Sequence, residues 1–325
     1  MNEKLFIRDL QEGQKITATF LVKSKDIRKK KNGGDFLMMS LSDRTGNITS
    51  MMWENFESVV DSFTSNNFVE VRGIVYRYNN SLQIQAHRVR KVPEESVDVR
   101  DFLRGGEADV DALFLEMMET VDTISNKYMR ELLGEIFSDK SIVGKFKKSP
   151  AAKVIHHAYI GGLIQHTVSI LRLCKDVTKR YPRVNRDLLF AGAMLHDIGK
   201  IDELSYDKTF DYSDEGRLIG HIVISCQLVD RFIRRIEGFP RELRNLLLHI
   251  IVSHHGSYEH GSPKRPKCLE AFILYYLDDL DAKIEALQDF IDKDSVLEGN
   301  WTNFNKNLGR YLYRDTRFED EEPSE

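Results

Sequence analysis

The chain has little cysteine and no long apolar run. Its 325 residues include three cysteines, Cys174, Cys226 and Cys268, which lie far apart and form no CxxC pair. This pattern argues against a disulfide framework and a thiolate zinc site, and we expect all three to be buried as small apolar side chains. No stretch approaches the ~18 apolar residues of a membrane span, and the N-terminus MNEKLFIRDL has no apolar signal-peptide core. We therefore expect a cytoplasmic protein without a membrane segment.

Net charge is also small, at −4, but it is unevenly distributed. The residues up to Val92 include 15 Lys and Arg against 10 Asp and Glu, whereas the remainder includes 32 against 41. This asymmetry predicts two modules with different partners. Part of the acidic excess is the tail FEDEEPSE at 318–325, whose composition predicts disorder.

The first module has the pattern of a small β-barrel. Apolar residues alternate with a period near two in five runs between Lys15 and Val92, separated by the turn sequences KKKNGG, DRTGN and YNNS. A helical-looking segment, 55–63, lies between the third and fourth runs. Five strands with a helix at this place are typical of an OB-fold, and an SH3-type barrel is the alternative.

After a polar connector the apolar period becomes helical, and no strand-like alternation interrupts it. This predicts a multidomain α and β protein in which an all-α part follows the barrel. We divide the chain into an OB-fold (1–92), a connector with lead-in helices (93–150), a helical domain (151–300) and a C-terminal extension (301–325). The predicted helices are 110–124, 127–137, 166–181, 186–200, 220–236, 241–255 and 268–290.

Histidines and acids lie at the ends of these apolar helices. His196 and Asp197, in AGAMLHDIGKI, end one of them, where an unpaired charge is expensive to bury. An isolated residue of this kind is more often a hydrogen-bonded helix terminus, but helices that converge would bring the whole set together. Nitrogen and carboxylate ligands without thiolate suit a hydrolytic site for Mn, Fe, Zn, Co or Ni, which lowers the pKa of a bound water toward ~7. The other members are His166, His221, His254, His255 and Asp278.

The order His166, then His196 and Asp197, then Asp278 reproduces an H…HD…D signature. In this the sequence resembles the HD-domain metal-dependent phosphohydrolases. The resemblance implies an all-α HD bundle with a site for one or two divalent ions. In the HD subfamilies that bind two metal ions, further ligands match His221, His254 and His255. The resemblance then implies that Asp197 bridges the two ions.

The LDDLDA segment offers three carboxylates for one ligand position. The family form ADxxDA aligns Asp278 with the ligand and Asp281 with a partner for a ligating histidine. Asp279 falls about 100° around the helix and is expected to face elsewhere.

Three further places carry candidate catalytic or substrate-binding residues. Lys200 is expected to offset charge on a phosphoryl oxygen, and its alternative is a helix C-terminal lysine that complements the dipole. His157 is a candidate substrate contact; Gly161 and Gly162, which follow it, either let a ligand approach the backbone or form a helix N-terminal turn. Lys264 and Arg265 lie in a Gly and Pro loop and could meet a phosphate backbone, although exposed cations usually meet only water.

The barrel carries the features of a single-strand binder, namely a basic loop and aromatic side chains. The alternative is that the cations only keep a long turn soluble and that the aromatics, especially Phe36 and Trp53, are core residues. The candidate nucleic-acid-binding residues are Lys25, Arg28, Lys29, Lys30, Lys31, Phe36, Trp53, Tyr76 and Tyr78.

An OB-fold upstream of an HD domain resembles the YhaM-type 3′–5′ exoribonucleases of bacteria, through the connector to SHHGSYEHGSPKRP and LDDLDAKIEAL. The resemblance implies release of nucleoside 5′-monophosphates from single-stranded RNA, with single-stranded DNA as a further candidate, and manganese as the favoured ion. Two rivals stay open. One is an HD phosphodiesterase or phosphatase of small or cyclic nucleotides with a regulatory OB-fold, although no GYP motif follows the HD pair; the other is a binding protein with a structural HD part.

Overall fold

The N-terminal part is a closed barrel of five strands. The strands are β1 (Lys15–Lys29), β2 (Asp35–Asp43), β3 (Gly46–Met52), β4 (Phe68–Tyr78) and β5 (Ser81–Val92). Their order is β1-β2-β3-β5-β4, in which only β3 and β5 pair in parallel, and this topology confirms the predicted OB-fold. The computed structural model describes residues 4–30, 33–79, 81–102, 108–152, 159–205, 211–294, 299–306 and 308–314.

Alternation along the strands separates an apolar interior from a polar exterior. Phe20, Leu37, Val71 and Ile84 are fully buried inside the barrel. Their neighbours along each strand point outward because successive side chains of a strand face opposite sides. Removal of this apolar surface from water, at about 25 cal/mol per Å², is the main stabilising contribution.

The predicted helix over 55–63 is wrong. The segment forms a turn that contains one short 3-10 helix, Val60–Ser62, and Phe56 is buried beneath it in the barrel core. The hydroxyl of Ser58 donates to the carbonyl oxygen of Asn55 at 2.9 Å. Such local side-chain bonds compete with helical backbone bonds, which explains why the apolar spacing alone did not form an α-helix.

The second part is helical, as predicted, and most of its helices share one apolar core. That core includes the first three helices, so the predicted lead-in helices pack within the helical part. Side chains of Asp109, Asn126, Asp139 and Asn185 cap the N-termini of the helices that begin at Val110, Lys127, Lys140 and Arg186. The helices are α1 (Val110–Asp122), α2 (Lys127–Ser138), α3 (Lys140–Phe146), α4 (Gly162–Arg180), α5 (Arg186–Leu195), α6 (Lys200–Glu203), α7 (Asp214–Leu218), α8 (His221–Ile233), α9 (Arg241–Ser253) and α10 (Leu269–Lys293).

A two-stranded sheet interrupts the helices, contrary to the prediction that no strand does so. It pairs β6 (Leu204–Ser205) with β7 (Asp211–Tyr212). Strands of two residues are too short to produce a recognisable alternation. The periodicity also missed the short helices α3, α6 and α7.

The helix predicted over 186–200 ends at Leu195, because one hydroxyl group takes up the backbone groups that would continue it. Ser225 of α8 accepts a hydrogen bond from the Gly199 N–H at 2.8 Å and donates to the His196 carbonyl oxygen at 3.2 Å. A Cβ at Gly199 would lie 2.3 Å from the His221 carbonyl oxygen, so only glycine permits this approach. The break places residues 196–199 in a turn against the start of α8.

The chain beyond α10 is described at 299–306 and 308–314. Backbone bridges join Trp301 to Tyr313 and Asn305 to Arg310. The acidic tail at 318–325 lies outside the described residues. In the ranges that the structure covers, no helix is both long and apolar enough to cross a membrane.

Candidate metal centre and nucleic-acid interface

The ends and faces of five helices bring all seven predicted ligands together, and all of them except His166 and His196 line one cavity. His166 lies in the second turn of α4, and Asp278 lies in the middle of α10. The remaining five stand where a helix begins or ends. His196 and Asp197 follow α5, His221 begins α8, and His254 and His255 follow α9.

Asp197 stands between two groups of candidate ligands. We call His166, His196 and Asp197 group A, and His221, His254 and His255 group B; within each, the ligand atoms lie within 4.8 Å of one another. Asp197 Oδ2 lies 3.8 Å and 3.5 Å from Nε2 of the two group A histidines. Its Oδ1 lies 3.5 Å from Nε2 of both His221 and His254. One carboxylate thus presents one oxygen to each group.

Asp278 belongs with group A. Its Oδ1 lies 3.1 Å from Nε2 of His166 and 3.9 Å from Nε2 of His196. Asp281, one turn further along α10, accepts a hydrogen bond from His166 Nδ1 at 2.8 Å and another from the Ser169 hydroxyl. Asp279 instead pairs with Lys283 at 2.6 Å. The contacts of Asp278 and Asp281 agree with their expected places beside the histidines. Asp279, expected to face elsewhere, also lines the cavity, although it pairs with Lys283 and contacts neither group.

Every histidine of the two groups has its Nδ1 next to an oxygen that can only accept. Because these acceptors carry no hydrogen, each Nδ1 must hold the proton, and Nε2 is the nitrogen available to a metal ion. The acceptor is a carboxylate for His166 and His221 and a backbone carbonyl for the others. The distances from Nδ1 to the acceptor oxygen are 2.8 Å from His166 to Asp281, 2.9 Å from His196 to Ala193, 2.9 Å from His221 to Glu203, 2.7 Å from His254 to Ile251 and 2.9 Å from His255 to His260.

Several buried polar atoms at this point have no hydrogen-bond partner among the described residues. They are His196 Nε2, His221 Nε2, His254 Nε2 and Asp197 Oδ1. Burial of such atoms without a partner is unfavourable, and each of the three nitrogens lies 3.5 Å from an oxygen of Asp197. The donor set and these orphaned atoms fit a divalent metal ion in each group.

The electrostatics divide the histidines. Burial lowers the pKa of His196 to about 4, so its Nε2 keeps a free lone pair at neutral pH. Burial would also lower the pKa of His166, but the bonds to Asp278 and Asp281 raise it to about 9. Because a metal ion binds a deprotonated imidazole nitrogen, an ion in group A competes with a proton at this ring.

Lys200 forms an ion pair with Asp197, at 2.5 Å from Oδ2. It begins the four-residue helix α6, directly after the turn that holds Asp197. Burial alone would raise the pKa of Asp197, but Lys200 and the surrounding imidazoles hold it well below its usual value. The structure thus places one ammonium group directly beside the central carboxylate.

On the barrel, Phe36 lies in β2, Trp53 directly follows β3, and Tyr76 lies in β4. The rings of Phe36 and Trp53 stack with centroids 4.5 Å apart, and Lys30 donates to the Trp53 carbonyl oxygen at 2.9 Å. The Tyr76 hydroxyl contacts Gln83 at 2.8 Å across β4 and β5. Phe36 itself is 8% exposed, so Trp53 covers it from solvent.

The cations of the first hairpin separate into two sets. Arg28 and Lys29 are exposed at the end of β1. Lys25 points the other way, since it donates to the carbonyl oxygens of Val60 and Phe63 beneath the barrel. Lys25 therefore has a structural role that the sequence pattern did not indicate. It does not belong to the exposed basic surface that Arg28 and Lys29 form. Tyr78, at the turn between β4 and β5, is 57% exposed.

The two parts of the chain match two family models. The model of the HD domain matches residues 163–283, and that of an OB-fold nucleic acid binding domain matches residues 21–92. The protein named 3′-5′ exoribonuclease YhaM from Geobacillus sp. (strain WCH70) is 34% identical over 291 residues, or 89% of this chain and 88% of that protein. The protein of the same name from Bacillus subtilis (strain 168) is 34% identical over 89% of this chain and 91% of its own length. This chain belongs to the YhaM family.

Among solved structures, the second OB-fold domain of replication protein A from Methanococcus maripaludis is 22% identical with a TM-score of 0.23, covering 29% of this chain and 99% of that one. In this YhaM-family chain, the region that matches the HD model includes His166, Asp281 and every candidate ligand between them.

Two candidate substrate contacts of this YhaM-family chain, Lys264 and Arg265, are not brought to the metal centre. Lys264 and Arg265 are exposed in the loop before α10 and do not line the cavity; Arg265 lies over the ring of Tyr258, 5.7 Å from its centroid. Gly161 caps α4 with φ 84°, which favours the helix N-terminal turn. His157 and, on the barrel, Lys31 lie outside the described residues.

Two residues around this YhaM-family site were missed in the sequence. Glu203 is 7% exposed and bonds to His221, and Ser225 holds the turn that follows His196. Glu203 is 18 residues from its partner, and Ser225 is 29 residues from His196. No local spacing rule connects residues so far apart.

Proposed function

We propose that this chain is a 3′–5′ exoribonuclease that degrades single-stranded RNA to nucleoside 5′-monophosphates. Single-stranded DNA is a further candidate substrate, and manganese is the favoured ion, with cobalt, iron, zinc and nickel as alternatives. The observation that carries the proposal is the pair of histidine groups on either side of Asp197, whose carboxylate lines the cavity. Membership of the YhaM family, whose relatives carry the name exoribonuclease, supports the same reaction over the small-nucleotide alternative.

The residues of group A with Asp278 would hold one divalent ion, and those of group B with Asp197 a second. When bound, such ions lower the pKa of water and offset negative charge on phosphoryl oxygens. Hydrolysis adds the hydroxyl of water to the terminal phosphorus and breaks its bond to the 3′ oxygen of the preceding nucleotide. That oxygen takes the remaining proton, and the terminal nucleotide leaves with a 5′-phosphate.

The chain's own groups contribute position and charge. Lys200 supplies a cation at the edge of the cavity, next to Asp197, where it offsets charge on the scissile phosphate. Asp281 and Glu203 keep two histidine rings oriented. Residues on the outer side of the barrel, among them Trp53 and Tyr78, would hold the upstream strand and so raise the local concentration of the 3′ end.

The decisive experiment uses one RNA labelled at its 5′ end and the same RNA labelled at its 3′ end, incubated with Mn²⁺. We expect immediate release of 3′-labelled mononucleotide and stepwise shortening of the 5′-labelled strand. Asp197→Ala should abolish both. Asp176→Asn is the matched control, because this exposed carboxylate of α4 pairs with Lys179 and does not line the cavity.

Two results would contradict the proposal. An inert RNA together with hydrolysis of small or cyclic nucleotides would favour the phosphodiesterase. Salt-sensitive RNA binding without turnover would favour a binding protein. The domain boundaries, the cytoplasmic location and the substrate contacts of His157, Lys264 and Arg265 stay predictions.

A further inference from the structure

The cavity at the metal centre contains an aromatic side chain that the proposed hydrolysis does not use. Tyr275 lines this cavity together with His254, His255 and Asp278. It lies three residues before Asp278 in α10, so the two side chains project from the same face of the helix. Tyr275 is half-buried, and its aromatic ring is therefore in reach of a molecule that enters the cavity.

Gly256 fixes the position of this ring. The residue follows His255 directly and has φ 77°, a conformation that favours glycine. A Cβ at this position would lie 2.2 Å from Cε2 and 2.4 Å from Cζ of Tyr275. Since such distances are far below van der Waals contact, only glycine lets the turn after α9 pack against the ring. The turn that presents His254 and His255 thus also holds Tyr275.

The size of the cavity suits one nucleotide. Its volume is about 350 Å³, at the lower end of the roughly 300–1,000 Å³ typical of small-molecule sites. An enzyme that removes nucleotides one at a time must hold the terminal nucleotide and accept every base. Stacking on an aromatic ring meets both needs, because every base has a π face and no base-specific hydrogen bond is required.

We propose that Tyr275 is the platform on which the base of the 3′-terminal nucleotide stacks. The inference rests on the proposed exonuclease function and assigns a positioning residue within the same cavity. Tyr212 lines the cavity as well, but it is 42% exposed on a two-residue strand. Tyr275 is held by a long helix and by the backbone of Gly256, and a fixed platform loses less entropy when a base binds.

The test compares an RNA with a normal 3′-terminal nucleotide and the same RNA whose terminal nucleotide lacks its base. In the wild type, we expect kcat/KM for the first cleavage to fall about 5- to 100-fold without the base. Tyr275→Ala should lose a similar factor on the normal RNA, mainly through KM, and should lose nothing further when the base is absent. Tyr275→Phe keeps the ring and should behave as the wild type.

Tyr181→Ala is the matched control, because this tyrosine is 55% exposed after α4 and does not line the cavity. A readout without turnover is calorimetric binding of a nucleoside 5′-monophosphate and of ribose 5-phosphate in the presence of Mn²⁺. The wild type should prefer the nucleotide, and Tyr275→Ala should not.

Two outcomes would overturn the assignment of Tyr275. They are a wild type that cleaves both RNAs equally fast, and an undiminished effect of the base in Tyr275→Ala. The wild-type comparison needs no variant, so a poorly folded Tyr275→Ala protein does not leave the question open. Failure of the proposed function looks different, because the wild type would then release no nucleotide from the normal RNA.

Discussion

Glu203 accepts two hydrogen bonds from His221, one from its backbone N–H and one from its Nδ1, each at 2.9 Å. Glu203 ends α6 and His221 begins α8, so the pair joins two elements that both border the cavity. Burial alone would raise the pKa of Glu203, but the bonds from His221 hold it below its usual value. A charged acceptor at this position turns Nε2 of His221 toward Asp197.

Glu203→Ala should therefore weaken the binding of a metal ion to group B more than the binding of an ion to group A. Loss of a carboxylate that orients a ligating histidine lowers metal affinity about 10- to 100-fold. Glu203→Gln retains an acceptor oxygen for Nδ1 and should have a smaller effect. Calorimetric titration with Mn²⁺ would show one of two binding steps weakened. Glu215→Ala, an exposed acid of α7, is the control, and equal affinities in all four proteins would contradict the role of Glu203.

Gly199→Ala should disturb the centre through the backbone. The added Cβ would lie 2.3 Å from the His221 carbonyl oxygen and 2.6 Å from the Ser225 nitrogen, so the turn and α8 must move apart. We expect a loss of about 1–3 kcal/mol in the free energy of unfolding, together with weaker Mn²⁺ binding. Urea denaturation and metal titration measure the two effects.

The matched control for this substitution is Gly134→Ala in the interior of α2. A Cβ there meets nothing within 4 Å, and alanine favours the helix by about 1 kcal/mol. The two variants should thus shift the unfolding midpoint in opposite directions. A Gly199→Ala protein as stable as the wild type, with normal metal binding, would show that the turn is not tightly packed against α8.

Asp230, which lies away from the metal centre, should make the free energy of unfolding depend on pH. It accepts hydrogen bonds from Arg244 at 2.5 Å and from Arg234 at 2.7 Å, and so joins α8 to α9. These guanidinium groups hold the pKa of Asp230 below its usual value, and the hydrogen bond from Arg244 has the largest effect. A carboxyl whose folded pKa is lowered stabilises the fold above its unfolded pKa of about 3.9, and this contribution is lost as pH falls through the lower folded pKa.

Asp230→Asn should accordingly lose about 1 kcal/mol of unfolding free energy at pH 7 and at pH 5. Relative to the wild type, the deficit should shrink below about pH 4. Asp176→Asn is the control, because Asp176 is an exposed residue that pairs with Lys179 on the same helix. Urea denaturation at pH 7, pH 5 and pH 3 measures this deficit. A deficit of Asp230→Asn that stayed constant down to pH 3 would contradict the prediction.

The convergence of the candidate ligands could be predicted because their chemistry conflicts with their surroundings. His196 and Asp197 stand in an otherwise apolar segment, and Asp278 stands in the apolar part of α10, so each was visible as a polar residue without a local reason. Convergence then followed from the positions of these residues at helix ends. The barrel was equally accessible, since five alternating runs separated by turn sequences leave few other folds.

The residues that could not be predicted act through partners distant in sequence. Nothing in KIDELS indicates that Glu203 bonds to a histidine 18 residues later. Tyr275 has the same periodicity as the core residues of α10, and only the backbone of Gly256 sets it apart. Lys25 belongs to a basic run, yet its ammonium group is bound beneath the barrel. Spacing rules report which face a residue occupies but not what lies opposite that face.

Trp53 allows a direct test of the barrel surface, because the chain contains only two tryptophans. Trp301→Phe, combined with Asp197→Ala to prevent cleavage, leaves Trp53 as the only indole. Single-stranded RNA should quench its fluorescence, and Trp53→Ala should weaken binding about 5- to 100-fold by loss of stacking without a change in salt dependence. Replacement of both Arg28 and Lys29 by alanine should instead lower the slope of log affinity against log salt by about 0.7 per lost phosphate contact. Unquenched fluorescence in a protein that still binds RNA would place the strand on another surface.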